Sequence, residues 1–461
     1  MSQQDHGSAA VYSASAQNHK ALTFAIDALL ESTRFEKCTV ATRCWWTART
    51  LVATALLWAW SDEKNLVDRY RVASAIIAKG MRCRTTPSYQ AFMKVLRRHS
   101  HNLLQAVCAG LRRTMKRQLA RHWKWFGRAI FVVDGSLVNL PHTKSNEAAY
   151  AKTRRRTDTR RYPGAQTTGG IKRTQVPQIY LTVLWHLNTR LPWDWRTGPS
   201  NAWESEDLLS MLPDLPPRSL IIGDAGFIGY DLWKTINDGG HDFLIRVGAN
   251  VHLLKKLGFQ RESGSTVYCW PNQKYDKWQP PLVYRLVVLG GGKKPVYLLT
   301  SLKTKEMSDR QISELYARRW GVELFYRTLK QTFGRVKLRS HRSDHAMCEL
   351  NWSLAGLWAV QLYALTNTTI EPDRLSLAAV LRTIAQAMRE HRCRPLRGED
   401  LHSRLTKCLI DQYQRGDRTA RRRSKKHQDF DRKYTPRIVQ ATERHRKRAK
   451  QIKQRLKRLT A

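Results

Sequence analysis

The chain has 461 residues and carries 81 Lys and Arg against 37 Asp and Glu. Its formal charge of +44 is far more than an ordinary soluble enzyme needs, and it predicts a polyanionic partner. Nucleic acid is the expected polyanion, although charge alone leaves ribosomal or polyphosphate partners open.

Several features concern the compartment. The cysteines are scattered and form neither a Cys-x-x-Cys pair nor a Cys/His cluster, which predicts reduced thiols in a cytosolic protein. The first residues lack the basic and then apolar pattern of a signal peptide. The most apolar stretch, Trp45 to Trp60, is interrupted by Arg49, which predicts a core helix and not a membrane span.

The chain begins with a polar segment and then becomes helical. Residues 1–18 are predicted to be disordered, and 19–126 are predicted to form a helical N-terminal DNA-binding domain, as in the spacing of Leu103, Val107 and Leu111. A helical bundle with a solvated basic face explains the same charges equally well. The basic residues concerned are Arg82, Arg84, Lys94, Arg97, Arg98, Arg112, Arg113, Lys116 and Arg117.

Two apolar runs further along each lead into an aspartate. Ala129–Val133 precedes Asp134, and Ser219–Ile222 precedes Asp224 after one glycine. Such short β-branched runs predict buried strands, the first ending at Asp134. A carboxylate there is costly unless a cation compensates it, but Asp is also a common turn residue after a strand.

The segment after the first of these strands is strongly basic. It runs from Lys144 to Lys172 and is expected to contact DNA phosphates. Its densest positive charge lies at Arg154, Arg155, Arg156, Arg160 and Arg161.

More strands follow the basic segment. Pro177–Trp185 and Leu191–Trp195 are predicted strands. The stretch between Asp224 and Glu323 is too long for a simple strand–helix connection and contains several strand-like runs separated by turn signals. It predicts a β-rich insertion at about 240–300.

The stretch from Ser308 to Gly334 predicts one helix. At about 100° per residue, four polar residues fall within about 60° of each other; these are Tyr316, Arg319, Glu323 and Lys330. The opposite, core-facing side carries Val322, Phe325 and Leu329. This pattern suits a metal-binding Glu placed beside a polyanion, although a solvated helix face with an Arg319–Glu323 salt bridge is also consistent with it.

These residues carry a resemblance to a known family. Asp134, Asp224 and Glu323 resemble the DDE triad of bacterial cut-and-paste transposases, and the spacing Tyr-x2-Arg-x3-Glu-x6-Lys resembles the signature of insertion sequence family four. The resemblance covers about residues 130–334. It implies an α/β, ribonuclease-H-like catalytic domain at 127–390, interrupted by the β-rich insertion. A helical, basic C-terminal region at 391–461 would serve DNA binding, dimerisation or both.

The resemblance also implies roles. Asp134, Asp224 and Glu323 would be catalytic and would bind two Mg²⁺ ions, with Mn²⁺ as a substitute. Arg319, Lys330 and Tyr316 would hold DNA phosphates. Trp320 would stack on a flipped-out base, with core packing as the alternative. The candidate for a second, wedging aromatic residue is Tyr297.

The implied function is DNA transposition in the bacterial cytoplasm, close to the nucleoid. The protein would bind the terminal inverted repeats of its insertion sequence, pair two ends as a homodimer, cleave them and join the 3′-hydroxyls to target DNA. Two alternatives are a ribonuclease-H-like nuclease or resolvase without strand transfer, and a domesticated, non-catalytic DNA-binding protein. The sequence contains no glycine-rich phosphate loop, so no nucleotide cofactor is expected.

Overall fold

The computed structural model describes residues 17–38, 40, 45–85, 88–151, 176–200, 202–271, 278–290, 295–396, 398–410 and 435–460. In these ranges the chain is a mixed α/β structure with one 10-stranded sheet and helices packed around it.

The helices and strands follow one another in blocks along the chain. The helices are α1 (Asn18–Leu30), α2 (Ala48–Trp60), α3 (Leu66–Gly80), α4 (Tyr89–Gln118), α5 (Lys144–Tyr150), α6 (Glu204–Met211), α7 (Tyr230–Asp238), α8 (Asp309–Ala317), α9 (Gly321–Arg327), α10 (Ser343–Thr366), α11 (Leu377–Arg389), α12 (Leu401–Leu405) and α13 (Glu443–Thr460). The strands are β1 (Ile130–Asn139), β2 (Gln178–His186), β3 (Leu191–Pro199), β4 (Leu220–Gly223), β5 (Asp242–Arg246), β6 (His252–Lys255), β7 (Thr266–Cys269), β8 (Leu282–Leu289), β9 (Val296–Thr300) and β10 (Arg437–Gln440).

The sheet has the strand order β10-β6-β7-β8-β9-β5-β4-β1-β2-β3. In its middle, β4 pairs in parallel with both β1 and β5, whereas β1, β2 and β3 form an antiparallel meander. The two strands predicted after the basic segment are confirmed as β2 and β3. The prediction that the first strand ends at Asp134 was wrong: β1 continues to Asn139, because β2 pairs with it as far as Gln178.

The strands of the predicted insertion extend this same sheet. β5 pairs antiparallel with β9, and β9, β8, β7 and β6 follow as an antiparallel series. The described end of the basic C-terminal region joins them, since β10 pairs in parallel with β6 and α13 packs on a separate apolar cluster. That cluster consists of Leu257, Phe259, Tyr268, Ala441, Ala449 and Ile452.

The predicted helical region near the amino terminus is confirmed as α1–α4, and it shares one core with α10 and α11. α10 is apolar on all sides and nearly fully buried, as expected for a helix enclosed by other elements. Trp60 Nε1 donates to the Gly356 carbonyl at 2.7 Å, and Trp352 Nε1 donates to Ser100 Oγ at 2.8 Å. None of the described helices is both long and apolar enough to cross a membrane.

Some basic residues of α4 are engaged inside the protein. Arg97 pairs with Asp344, and Arg112 Nη2 lies 3.0 Å from Asp194 Oδ2. Arg113 Nε donates to the Ser32 carbonyl at 3.1 Å. These three arginines hold α4 against α10, β3 and the turn after α1, respectively.

Candidate active site

Asp134 and Asp224 lie side by side where the parallel pairing of β1 and β4 ends. The last paired residues are Val132 and Ile222, and each aspartate lies two residues beyond its strand's member of that pair. Because parallel strands in register bring equivalent positions to the same level, the two aspartates meet at one edge. The Asp224 carboxylate is oriented by its own turn, since the Gly226 N–H donates to Asp224 Oδ1 at 2.8 Å.

The predicted single helix at 308–334 is built from segments of different pitch. α8 is followed by a 3₁₀ turn at Arg318–Trp320, then by α9, and then by a π-helical segment at Thr328–Thr332. The prediction of one regular helix was therefore wrong, because 3₁₀ and π turns change the rotation per residue. The predicted core-facing side of this segment is confirmed, since the buried residues include Val322, Phe325 and Leu329.

Glu323 and Arg319 form the i, i+4 ion pair that the sequence allows. Arg319 Nη2 lies 3.3 Å from Glu323 Oε1, and the side chains are 8% and 43% exposed, respectively. The Arg319 Cζ atom lies 5.7 Å from the ring centroid of Tyr316 and 4.8 Å from that of Trp320. Arg319 Nε is buried with no hydrogen-bond partner among the described residues. The guanidinium thus keeps donor capacity that its surroundings do not use.

Two side chains fasten this helical segment across β1. The buried Tyr326 hydroxyl donates to the Asp134 carbonyl at 2.7 Å and to the Leu181 carbonyl at 3.2 Å. Lys330 Nζ donates to Ser136 Oγ at 2.7 Å. These bonds hold α9 and the π-helical segment after it beside the strand that carries Asp134.

A fourth carboxyl group, which the sequence analysis did not predict, reaches the two aspartates. Glu204 is the first residue of α6. A Cβ atom placed on Gly226 would lie 2.8 Å from Glu204 Oε2 and 3.1 Å from Asp224 Oδ1. A Cβ atom on Gly135 would overlap both Glu204 Oε1 and the Tyr180 hydroxyl. The Glu204 carboxylate therefore lies against the backbone that follows each aspartate.

Burial and neighbouring acids together shift the pKa values of the site. Burial raises the pKa of Asp134 to about 6, with further increases from Asp224 and Glu323 that Arg319 and a backbone N–H partly oppose. Burial, followed by repulsion from Asp224 and Asp134, raises the pKa of Glu204 to about 7. The site is thus a cluster of acids whose ionisation a bound cation would favour.

A known family matches the segment that contains this site. The model described as "Transposase DDE domain" matches residues 125–358, just over half of the chain. The chain belongs to the DDE transposase family. The chain is similar to the transposase InsG for insertion sequence element IS4 from Escherichia coli (strain K12), which is 26% identical over 240 residues, 50% of this chain and 50% of InsG. The chain thus spans about half the length of the curated relative it matches.

A solved structure also aligns with this DDE transposase family member. It is the piggyBac transposase synaptic complex with hairpin DNA, determined by cryo-EM, with 12% sequence identity and a TM-score of 0.38. The alignment covers 89% of this chain and 80% of the other. That score is too low for the alignment to define the fold.

DDE transposases typically use divalent metal ions, and the donors at this site suit them in kind. Carboxylate oxygens are hard ligands that Mg²⁺ and Mn²⁺ prefer. Burial first, and neighbouring acids second, raise the pKa values of Asp134 and Glu204. In the part of the chain that the structure describes, no three His, Cys, Asp or Glu side chains are gathered so as to hold one ion. Glu323 is instead directed to Arg319.

A cleft of about 670 Å³ opens beside Glu323. Its walls include the rings of Trp125, Trp185 and Trp320. Trp320 is 58% exposed, so the alternative that it packs in the core is wrong. The predicted DNA-contacting residues Arg154, Arg155, Arg156, Arg160 and Arg161 lie outside the described residues.

Proposed function

We propose that this chain is a cut-and-paste DNA transposase that cleaves the ends of its insertion sequence and joins their 3′-hydroxyls to target DNA. One observation carries the proposal: carboxyl groups from separate parts of the chain interact electrostatically at one edge of the sheet. Asp224 and Glu323 both raise the pKa of Asp134, and the three occur in the order of the family's triad. The terminal inverted repeats and the target are both double-stranded DNA.

The roles follow from position and charge. Asp134, Asp224 and Glu323 would hold two divalent ions, Mg²⁺ or Mn²⁺ in its place, which supply Lewis-acid activation of the attacking and leaving oxygens. Arg319, whose guanidinium pairs with Glu323 and lies over the Trp320 ring, would contact a phosphate next to the scissile bond. Lys330, held at Ser136, places a positive charge beside Asp134.

The sheet supports a ribonuclease-H-like core for the proposed catalytic domain at 127–390. An antiparallel meander of β1, β2 and β3 is followed by α6 and then by β4 and β5, which add in parallel on the other side of β1. The proposed helical domain at 19–126 and the C-terminal region at 391–461 flank this core. A homodimer would pair the two transposon ends.

The C-terminal helix α13 provides a surface for the DNA backbone. Its basic residues are Arg444, Arg446, Lys447, Arg448, Lys450, Lys453, Arg455, Lys457 and Arg458, against the single acid Glu443. Ala449 and Ile452 are buried, which fixes the helix on the insertion. Arg448 and Arg455 lie over the rings of Trp270 and Trp278, at 5.2 and 4.7 Å from the ring centroids. Arg446 Nε and Lys453 Nζ donate to the Lys256 and Phe259 carbonyls at 3.0 and 3.2 Å. The other basic side chains suit the phosphates of a duplex.

The test uses the full chain and the DNA that flanks its own gene. With Mg²⁺, cut positions and joined products are mapped by sequencing. Asp134→Asn, Asp224→Asn and Glu323→Gln should abolish cleavage and preserve duplex binding, because binding rests on the basic surface. Glu206→Gln, at an exposed position of α6, is the matched control and should cleave normally.

Three outcomes contradict the proposal in different ways. Cleavage without joined products identifies a nuclease. Binding without metal-dependent cleavage identifies a DNA-binding protein. Cleavage that survives all three substitutions shows that these acids are not the catalytic ones.

A further inference from the structure

We propose that a basic cleft between the amino-terminal helices and the helices α11 and α12 binds the sugar–phosphate backbone of DNA. The inference rests on the proposed function, because that function supplies the DNA. It adds a contact surface separate from the acid cluster, since the lining of this cleft includes none of Asp134, Asp224 and Glu323.

The cleft has a volume of about 640 Å³ and is formed by four separate parts of the chain. These are the end of α2 with the loop after it, the segment 332–339, α11, and α12 with the residues that follow it. Of the four, only 332–339 lies within the segment that matches the family. The cleft is therefore built largely from parts of the chain outside the matched domain.

Most of the charged side chains in this cleft are basic and have no acidic partner. Arg389 and Arg404 also line it, but they pair with Asp62 and Glu390, respectively. The other basic residues of the lining form no ion pair with any described residue; these are Lys64, Arg69, Arg335, Arg339, Arg382 and Lys407. Asp62 is the one acid among the lining residues. The cleft thus combines concave shape with an excess of positive charge.

Two of these arginines are buried, with exposures of 4% for Arg69 and 2% for Arg335. Arg335 donates only to neutral acceptors, namely Ser353 Oγ at 2.7 Å and the Phe333 and Ala59 carbonyls at 2.7 and 3.1 Å. Burial, followed by repulsion from Arg69, lowers the pKa of Arg335 to about 9. A buried cation without an ion-pair partner is costly, and an anion in the cleft would reduce that cost.

The buried acid Glu349 compensates only part of this charge. It raises the pKa values of both Arg69 and Arg335. Its Oε2 atom already accepts from the Arg339 and Ser340 N–H groups at 3.1 and 3.0 Å and from the Ser340 hydroxyl at 2.7 Å. One carboxylate cannot neutralise several guanidinium groups, so the cleft keeps a positive potential.

The DNA backbone is the anion that suits this arrangement. Arginine binds phosphate through a planar fork of donors, and lysine acts as a point charge. A run of backbone phosphates matches basic groups that come from several walls of one cleft. Arg382 on α11 and Lys407 after α12 are exposed, so their charged ends are accessible to such a backbone.

The first test measures how the affinity of the full chain for end duplex DNA depends on salt. The variant R382Q/K407Q should reduce the magnitude of the slope of log affinity against log salt by up to about 2, because each phosphate contact contributes about −0.9. The matched control is K234Q/R310Q, in which each basic residue pairs with an acid four residues later on its own helix. The control has the same net charge and should keep the wild-type slope.

Equal slopes for the two variants would overturn the inference, because the total charge would then explain the effect. Since Arg382 and Lys407 are exposed, R382Q/K407Q should keep the wild-type melting temperature. If the double variant does not fold, the single variants Arg382→Gln and Lys407→Gln replace it, each with about half of the expected change in slope.

The second test neutralises phosphates of the DNA one at a time. Methylphosphonates are placed in turn along each strand of the end duplex, and affinity is measured by anisotropy. At one or more positions the substitution should weaken binding of the wild type and have no effect on R382Q/K407Q. If every substitution weakens both proteins equally, Arg382 and Lys407 contact no phosphate and the inference is wrong.

Both tests measure binding without cleavage, so they are separable from the proposed function. If the wild type cleaves and joins DNA while R382Q/K407Q keeps the wild-type slope, the role of the cleft is wrong and the proposed function stands. If the slope changes as expected but the wild type never cleaves, the cleft binds DNA and the proposed transposition is wrong.

Discussion

Trp320 stands in the wall of the cleft beside Glu323, with the Arg319 guanidinium against one side of its ring. Its exposure of 58% means that its removal opens no core cavity. We expect Trp320→Ala to weaken the engagement of nicked or distorted ends by about 1–3 kcal/mol, the usual worth of base–aromatic stacking. Affinity for intact duplex should change much less. Fluorescence anisotropy with matched intact and nicked end DNA measures both.

Trp45 gives the control for this prediction. It is 57% exposed and lies in the amino-terminal helical region, away from the cleft. Trp45→Ala should leave the preference for nicked ends unchanged. Equal losses in the two variants would remove the special role of Trp320.

Asp134 predicts a pH dependence of stability in the metal-free protein. Its pKa is raised from 3.8 to about 6 on folding, chiefly by burial and then by Asp224. The folded state therefore binds more protons between these two values, so the unfolding free energy falls as pH rises through this window. Asp134→Asn removes that penalty and should be more stable than the wild type by about 1–3 kcal/mol above pH ~6.

Urea denaturation in EDTA at a series of pH values tests this expectation. The difference between the wild type and Asp134→Asn should vanish below pH ~3, where the carboxyl is protonated in both states. Asp231→Asn, at an exposed position of α7, is the control for removing an acid. If the difference in unfolding free energy between the two proteins does not change with pH, the pKa of Asp134 is not raised on folding.

At the scale of residues, the sequence predicted those site residues that lie in a distinctive local sequence. Asp134 and Asp224 follow apolar runs, and Glu323 belongs to a spaced motif. Glu204 was missed because an acid in the first turn of a helix has an ordinary explanation in the helix dipole. The signal that could have found it is the pair of glycines that follow the aspartates, Gly135 and Gly226, but their meaning depends on a contact with a distant part of the chain.

The hydrogen bond from Tyr326 ties one element, α9, to another, β1. Tyr326→Phe leaves two buried carbonyls without this donor and should lower the unfolding free energy by about 1–2 kcal/mol. It should also slow end cleavage by about tenfold to a hundredfold, because Glu323 and Asp134 lose their fixed separation. Chemical denaturation and a single-turnover cleavage assay measure the two effects.

A second tyrosine separates stability from positioning. The Tyr284 hydroxyl donates to Asn237 Oδ1 at 3.1 Å, between β8 and α7, where it holds no residue of the acid cluster. Tyr284→Phe should lower stability by a similar amount and leave the cleavage rate close to that of the wild type. If Tyr326→Phe behaves in the same way, the bond stabilises the fold without positioning the acids.

At the scale of elements, the sequence predicted which segments form helices and strands. It did not predict where a helix departs from regular α-helical geometry. The core-facing residues Val322, Phe325 and Leu329 follow the helical repeat, so the prediction of the buried side was correct. The 3₁₀ and π turns around α9 coincide with contacts to other elements, such as Lys330 to Ser136. Sequence periodicity contains no information on such contacts. The length of β1 was likewise decided by its partner β2.

At the scale of the molecule, the path of the chain depends on distant pairings. The β-rich composition of the insertion was predicted, but its place in the central sheet depends on the pairing of β5 with β9. Similarly, the basic composition of the carboxyl-terminal region gave no sign that β10 would pair with β6. As a result, the basic residues of α13 lie on the insertion, at the opposite end of the sheet from β3.

This placement makes the distribution of charge, and not only its total, testable. Lys450, Lys457 and Arg458 are exposed on α13. Each phosphate contact contributes about −0.9 to the slope of log affinity against log salt. The triple variant K450Q/K457Q/R458Q should therefore reduce the magnitude of that slope for duplex DNA by up to about 3.

The matched control removes the same charge from residues already paired with acids. Arg71, Arg97 and Arg389 are paired with Asp68, Asp344 and Asp62, respectively. The triple variant R71Q/R97Q/R389Q has the same net charge as the α13 variant and should keep the wild-type slope, because those side chains are engaged within the protein. Anisotropy titrations between 50 and 200 mM salt, roughly the range over which such contacts dominate affinity, give all three slopes. Equal slopes for the two variants would show that net charge alone governs binding and that α13 makes no phosphate contacts of its own.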